Sequence, residues 1–283
     1  MPPRQAPTAR QLRLGIEMRK LRERAGLTAR EAGALVGTTQ AGISNLETGR
    51  FGLSEQRIRT LAQHYDCTDE PLIDALVAMA AHRKRGWWEE YREMLPTSEL
   101  DLAEFEHHAT SLRMSSALHI PGLLQTPDYI RALFQGAVPR LSPPDVEHRV
   151  SFRIKRQEVL YRNQPTPYTA VIHEAALRMQ FGGPAPTREQ LKHLIEMSER
   201  EEIILRAIPF AHGVFPGSGQ PVGYLAGPVP QLDTVQLDQS HGTLLLDATA
   251  QREKYAALLD QMESIALNPA ASRDFIHRVI AEL

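Results

Sequence analysis

The stretch from Leu27 to Gly49, LTAREAGALVGTTQAGISNLETG, limits the fold more than any other part of this chain. Thr28 stands three residues before Glu31, a Thr-x-x-Glu capping box, and Leu27 with Ala32 can form the apolar staple that accompanies it. The helix that starts there is predicted to run to about Val36, with Ala32, Leu35 and Val36 on an apolar side. Gly37 breaks it, because glycine takes left-handed backbone without steric cost. Thr39 caps a second helix in which Ile43, Leu46 and Glu47 fall at i, i+3 and i+4, and Gln40, Ala41, Ser44 and Asn45 share the opposite, exposed side.

A helix that buries Ile43 and Leu46 while showing small amides and hydroxyls suits a DNA major groove. Gln and Asn side chains can bond adenine in bidentate fashion, and a methyl group such as that of Ala41 can touch thymine. The same pattern also describes an ordinary helical hairpin with a polar outer face. With its flanks, GLTAREAGALVGTTQAGISNLETGR resembles the helix-turn-helix of XRE-type (lambda- and 434-repressor-like) regulators, from about Leu12 to Tyr65. The likeness rests on Gly26-Leu27-Thr28 at its start and on Ile43-Ser44 and Leu46-Glu47-x-Gly49-Arg50 at its end. It implies double-stranded DNA as the partner, Thr39 to Asn45 as the recognition helix, and Thr28 and Arg30 against the phosphate backbone. Ala29 departs from relatives that carry a phosphate-bonding Gln there. The candidate DNA contacts are Thr28, Arg30, Thr38, Thr39, Gln40, Ala41, Ser44, Asn45 and Arg50.

The neighbouring residues extend this into a domain. Met1 to Pro7 is proline-bearing and expected to fray. Thr8 and Gln11 repeat the capping-box spacing and open a helix with Leu14, Met18 and Leu21 inward, Arg13, Lys20 and Arg24 on the wet side, and Gly26 at its end. Ser54 caps EQRIRTLAQHYD, with Ile58, Leu61 and Tyr65 on one side, and Thr68 to Met79 is predicted as a fifth helix that tolerates Pro71 in its first turn. Five short helices around one core make a repressor-type domain. Such domains bind as homodimers, because two half-sites a helical turn apart match a two-fold protein.

At 283 residues the chain suits two domains, placed at 1–82 and 83–283. The net charge of -2 is uneven: residues 1–85 hold 14 Lys and Arg against 9 Asp and Glu, and the remainder holds 18 against 25. A basic N-terminal part can engage phosphates, whereas the acidic remainder does not. The one cysteine, Cys67, excludes a disulfide framework and a multi-cysteine zinc site, and points to a reduced, cytoplasmic setting. No run is apolar enough to span a membrane, and MPPRQAPTAR lacks the apolar centre of a signal peptide.

Residues 82–99, HRKRGWWEEYREMLPTSE, read as a basic connector followed by Trp87, Trp88 and Tyr91 close to one side of a helix, an anchor for core or for a dimer seam. Beyond it, Ser115 to Ile120 is predicted as a strand ending at Pro121-Gly122, and Thr126 caps a helix with Pro127 and Asp128 in its first turn. Residues 143–162 form a long amphipathic helix, YTAVIH a strand, and a helix capped by Thr187 runs to Glu199. IILRAIPF, VGYLAG, TVQLDQ and TLLLD are further strands, and Lys254 to Ala266 and Ser272 to Leu283 close the chain as helices. The expected fold is thus a five-helix helix-turn-helix domain followed by a mainly helical α+β domain with a small sheet.

PGLLQTPDYIRALF, FRIKRQEVLYR, VIHEAALRMQFGG and QLKHLIEMSER resemble, in that order, a C-terminal domain common in actinobacterial XRE-type regulators. Those proteins are described as antitoxin-like, and their genes often neighbour one for a small acidic partner protein. The tail departs, with TVQLDQSHG where relatives carry an aromatic-acidic strand. Leu124, Gln125, Arg153, Arg156 and Glu158 are the candidate contacts to a partner or small-molecule signal, although for the last three a solvated charged face is the favoured reading.

Enzyme signatures are missing. His107 and His108 are adjacent and would point about 100° apart on a helix, a poor chelating pair. His173-Glu174 lacks a nearby second ligand, and no His-Glu-x-x-His occurs. The loop Gly213 to Gly219 has no Gly-Lys-Ser/Thr, and Ser218 sits in Gly-Ser-Gly rather than in a nucleophile elbow. Glu158, Glu174 and Glu196 show no pairing rule. The expectation is a sequence-specific transcriptional regulator, not an enzyme, without metal or cofactor. One alternative is an antitoxin-like protein that sequesters a small acidic partner and binds DNA for autoregulation. Another is a DNA-tethered enzyme.

Overall fold

Both capping boxes at the start of the chain form. The structure, a computed structural model, describes residues 6–81, 86–217, 219–239 and 242–283. Thr8 caps α1 (Ala9–Arg24), its hydroxyl accepting from the Gln11 amide at 3.3 Å while the Gln11 side chain accepts from the Thr8 amide at 3.1 Å. Thr28 and Glu31 do the same for α2 (Ala29–Leu35), at 3.2 and 2.7 Å. α3 (Gln40–Glu47), α4 (Glu55–His64) and α5 (Glu70–Ala81) follow, and Met18, Ala32, Ile43, Ile58 and Leu76 are buried at their centre.

Two expectations fail in this part. Arg13 is not on the wet side: it is 4% exposed, because its Nε donates to Glu17 at 2.8 Å and both side chains sink together between the helices. Leu35 is 45% exposed, since α2 stops after it and the buried side of that helix is formed by Ala32 and Gly33. α5 also starts two residues after Thr68, with the Asp69 carboxylate accepting from the Leu72 amide at 3.1 Å. The chain divides into Met1–Gly86 and Trp87–Leu283. The expected boundary at 82/83 lies outside the described residues, as do residues 1–5 of the start expected to fray.

The second unit opens with a single 3-10 turn, Trp87–Tyr91, whose rings pack on Phe152 at centroid distances of 5.3 Å (Trp87) and 5.1 Å (Tyr91). The aromatic pair therefore anchors core. The elements after it are α6 (Thr97–His108), β1 (Ser111–Ser116), α7 (Pro127–Gln135), α8 (Pro143–Arg156), β2 (Tyr168–His173), α9 (Glu174–Arg178), α10 (Pro184–Ser198), β3 (Ile203–Ile208), β4 (Val222–Ala226), β5 (Thr234–Gln239), β6 (Gly242–Leu246), α11 (Thr249–Ile265) and α12 (Pro269–Ala281). The domain is α+β, with a six-stranded sheet in the order β3-β2-β1-β4-β5-β6. β1, β2 and β3 run parallel, and β4, β5 and β6 continue the sheet antiparallel from the other edge of β1.

Parallel strands need cover on both faces. On one face Tyr168, Ala170, Ile172 and Leu205 pack with Tyr129 of α7, Leu191 and Leu194 of α10 and Ile276 of α12. On the other, Val171, Ile208, Val222, Val235 and Leu237 pack with Leu259 and Met262 of α11.

Several boundaries move. β1 spans 111–116 rather than 115–120, because Arg113 is a strand residue whose guanidinium is held by Glu263 and Asp260 of α11 at 2.8 and 2.6 Å. α6 was not predicted, and α8 ends at Arg156, after which Gln157–Leu160 tighten into a 3-10 turn. α10 starts at Pro184, so Thr187 is not its cap but a buried first-turn residue donating to the Gly183 carbonyl at 2.9 Å. α11 and α12 begin five and three residues early, the latter capped by Asn268.

Candidate nucleic-acid interface and ligand cavity

α3 is fixed by close backbone approach and by one buried ion pair. A Cβ on Gly15 of α1 would lie 2.3 Å from the Glu47 carbonyl oxygen, so only glycine lets the two helices meet there. A Cβ on Gly33 of α2 would lie 2.8 Å from the Thr38 carbonyl, and Gly37 turns the chain at φ 65°. Arg22 of α1 grips Glu47 through two bonds of 2.6 and 3.0 Å and donates a third to the Leu27 carbonyl at 2.7 Å. Both side chains are under a tenth exposed, and Glu47 holds the Arg22 guanidinium above its ordinary pKa despite burial. Arg22 was not singled out from sequence. The signal was Glu47 itself, an acid on the apolar side of a helix.

This leaves the other side of α3 free. Ile43 and Leu46 are buried, Gln40, Ala41 and Ser44 are exposed, and Asn45 is half-buried. Among the described residues the side chains of Gln40, Ser44 and Asn45 form no hydrogen bond, so their donors and acceptors are uncommitted. Thr39 is exposed but spends its hydroxyl on the Gly42 amide at 3.1 Å. Thr28 likewise spends its hydroxyl in the cap of α2, and half-buried Thr38 donates its amide to Gly33 at 2.8 Å. Arg30 and Arg50 are exposed and carry no ion pair among the described residues. Three uncommitted side chains on one short helix, with free guanidinium groups on α2 (Arg30) and three residues past α3 (Arg50), can read base edges and neutralise phosphates.

The second unit holds a cavity of about 720 Å³ beyond the carboxyl end of β1. β1 is where the sheet changes direction of growth, since β2 and β3 lie on one side of it and β4 on the other. Ligands in open α/β sheets bind at such a switch point. Met114 and Gln236, which line it, flank Gly223 in one cross-strand row across β1, β4 and β5. A Cβ at Gly223 would lie 2.4 Å from the Gln236 Oε1 and 3.2 Å from the Met114 Cε, so a larger residue there would push both side chains aside.

Of the predicted C-terminal contacts, the structure gathers three at this cavity. Arg153 and Arg156 line it from α8, and Gln125 lines it from the loop before α7. Gln125 is 3% exposed; its Nε2 donates to the Ile120 carbonyl at 2.6 Å and its Oε1 accepts from Arg153 at 2.7 Å. Arg156 forms two bonds to Glu106, at 2.8 and 2.6 Å; burial opposes its charge, but the carboxylate overrides this and the pKa is raised. Arg153 lies over the Phe134 ring at 4.4 Å, and burial, then the neighbouring Arg156, lower its pKa to about 10. Leu124 is instead packed in the core and Glu158 is exposed outside the cavity. Glu99, His119, Gln236 and Asp238 also line it and were missed from sequence. One clue was available, the alternation of polar Gln236 and Asp238 with apolar Val235 and Leu237 in TVQLDQ.

Among the described residues no helix is long and apolar enough to cross a membrane. A family described as a domain of unknown function (DUF5753) matches residues 100–278, and a helix-turn-helix domain family matches residues 13–76. No curated protein and no solved structure matches the chain.

Proposed function

Because the chain belongs to the DUF5753 family and carries a helix-turn-helix domain ahead of the shared domain, we propose that it is a sequence-specific transcriptional regulator of the XRE type. It binds operator DNA as a homodimer, α3 entering the major groove of each half-site. The observation that carries this reading is the uncommitted polar side of α3. Gln40 and Asn45 keep every side-chain donor and acceptor for adenine edges, Ser44 adds a hydroxyl, and Ala41 offers a methyl to thymine. Arg30 and Arg50 supply phosphate contacts, and the five excess positive charges of residues 1–85 favour approach to DNA.

The second domain takes up a signal and shifts the dimer between geometries that differ in half-site spacing, so that the signal acts by differential affinity. The protein works by binding rather than by catalysis. Its cavity supports a small-molecule signal over a partner protein, because a deep, mixed polar and apolar space of this size matches small-ligand sites. The test is binding of the full chain to its own upstream DNA across a salt series, beside Gln40→Ala and Asn45→Ala. Each substitution is expected to cost about 1–3 kcal/mol in operator affinity. Wild-type affinity in both variants would refute base reading by α3.

A further inference from the structure

The cavity of the second unit holds an uncompensated set of charges. Arg156 is neutralised by Glu106, but no carboxylate pairs with Arg153 among the described residues, and its only side-chain hydrogen bond is to neutral Gln125. Arg153 is part-buried, and Glu99 and Asp238 act on its guanidinium through charge but do not bond to it, so an acidic ligand group bonded directly to it would add to its neutralisation. The carboxylate of Glu99 of α6 also lines the cavity and forms no hydrogen bond or ion pair among the described residues. The Asp238 carboxylate also lines it, is exposed, and among the described residues accepts only from Gln236 and Thr243. Gln236 is 1% exposed and donates its Nε2 to the Asp238 carboxylate.

The balance is therefore one cation bonded to no carboxylate against two carboxylates bonded to no cation, among the described residues. That balance disfavours a multiply charged phosphate, which Glu99 and Asp238 would repel. It fits a molecule with one acid and one amine. Met114, Leu133 and Phe134 also line the cavity, which suits an apolar body. We propose that this cavity binds an amphoteric small molecule, its acid group on Arg153, its amino group turned to Glu99 and Asp238, and its apolar part along Phe134 and Met114. The inference rests on the reading of the second domain as the part that takes up the signal.

The test titrates the full-length protein with four probes at millimolar concentration, followed by NMR of arginine Nε–H and methionine methyl groups. The probes are L-phenylalanine (acid and amine), hydrocinnamate (acid alone), phenethylamine (amine alone) and phenyl phosphate (dianion). Phenylalanine is expected to bind tightest and to perturb Arg153 and Met114. Arg153→Met should weaken phenylalanine and hydrocinnamate by about tenfold or more, a difference of about 1.4 kcal/mol. Glu99→Gln should weaken phenylalanine and leave hydrocinnamate unchanged. Thermal unfolding checks that each variant is folded, and Arg153→Lys, which keeps the charge but not the planar fork, replaces Arg153→Met if the latter unfolds. Tightest binding by phenyl phosphate, binding indifferent to both positions, or no perturbation by any acid-bearing probe would each overturn the proposal. Operator binding by the same samples reads the regulator hypothesis separately, since Gln40→Ala and Asn45→Ala leave the cavity untouched.

Discussion

Removing the Glu47 carboxylate should loosen the helix proposed to meet DNA without altering any residue proposed to touch it. In Glu47→Ala, Arg22 loses two bonds of 2.6 and 3.0 Å and keeps only the one to the Leu27 carbonyl. Both partners are under a tenth exposed, so the interaction is not discounted by solvent, and stranding one member of a buried pair costs about 3–5 kcal/mol. The lower end applies here, because Glu23 lies 3.7 Å from Arg22 and partly replaces the lost charge. A unit of this size has roughly 4–13 kcal/mol of stability in all, at about 0.05–0.15 kcal/mol per residue. A loss of about 3 kcal/mol lowers its melting temperature by about 12–24 °C, at about 4–8 °C for each kcal/mol. The assay is thermal unfolding with hydrogen exchange of α1 and α3 amides, beside Arg22→Met and the double variant, which should recover part of the loss. A cost under about 1 kcal/mol with unchanged α3 protection would mean that the pair behaves as a solvated surface pair, and would refute the reasoning.

Three further outcomes follow from the packing. Gly15→Ala should destabilise the first unit by about 1–3 kcal/mol in denaturant titrations, because its methyl meets the backbone of Glu47 rather than a side chain that can move. Arg156→Met should destabilise the second unit by about 3–5 kcal/mol by leaving Glu106, 2% exposed, without its partner, and Glu106→Gln/Arg156→Met together should cost less than the single change; calorimetry measures both. Stability should also fall in acid. Burial lowers the pKa of His173 and His193, so below the ordinary histidine pKa of about 6.5 the unfolded chain binds more protons than the folded one. Their contribution is complete above that pH and is lost as pH drops toward the folded values. His173 adds a specific cost, since its Nδ1 accepts from the Ala175 amide at 3.3 Å and protonation removes the acceptor. Melting temperatures at about pH 7 and about pH 5 check this, and a His173→Asn variant, which keeps a cap, should show a smaller drop.

What was legible in the sequence was local. The Thr8–Gln11 and Thr28–Glu31 caps, Gly37 and the buried Ile43–Leu46 pair are all specified within four residues, and the structure reproduces them. Arg13 was misread for the opposite reason: a charged residue at a helix position looks wet unless one sees that its i+4 neighbour Glu17 is buried with it. β1 was displaced because Arg113, a cation within SLRMSS, is compensated by acids of α11 some 150 residues away. The cavity shares this difficulty. Its residues run from Pro96 to Thr243, and only the order of strands in the sheet brings Glu99, Arg153 and Gln236 to one place. Helix periodicity could nominate Arg153 and Arg156 but could not tell a charged outer face from a lined cavity.

The strand order also dictates when each half of the chain can become a folded object on the ribosome. Everything that completes α1 to α5 has been synthesised by Ala81, including the contact in which Arg10 of α1 donates to the Met79 carbonyl of α5. β1 stands at the centre of its sheet, yet one neighbour arrives at Tyr168–His173 and the other at Val222–Ala226, with the covering helix α11 later still. Pairings that span such distances form slowly, and chains fold domain by domain from the N-terminus. The nascent protein therefore carries a finished helix-turn-helix for the whole interval in which β1 waits with open edges. In that interval the first unit could engage DNA while the cavity that would regulate it does not yet exist.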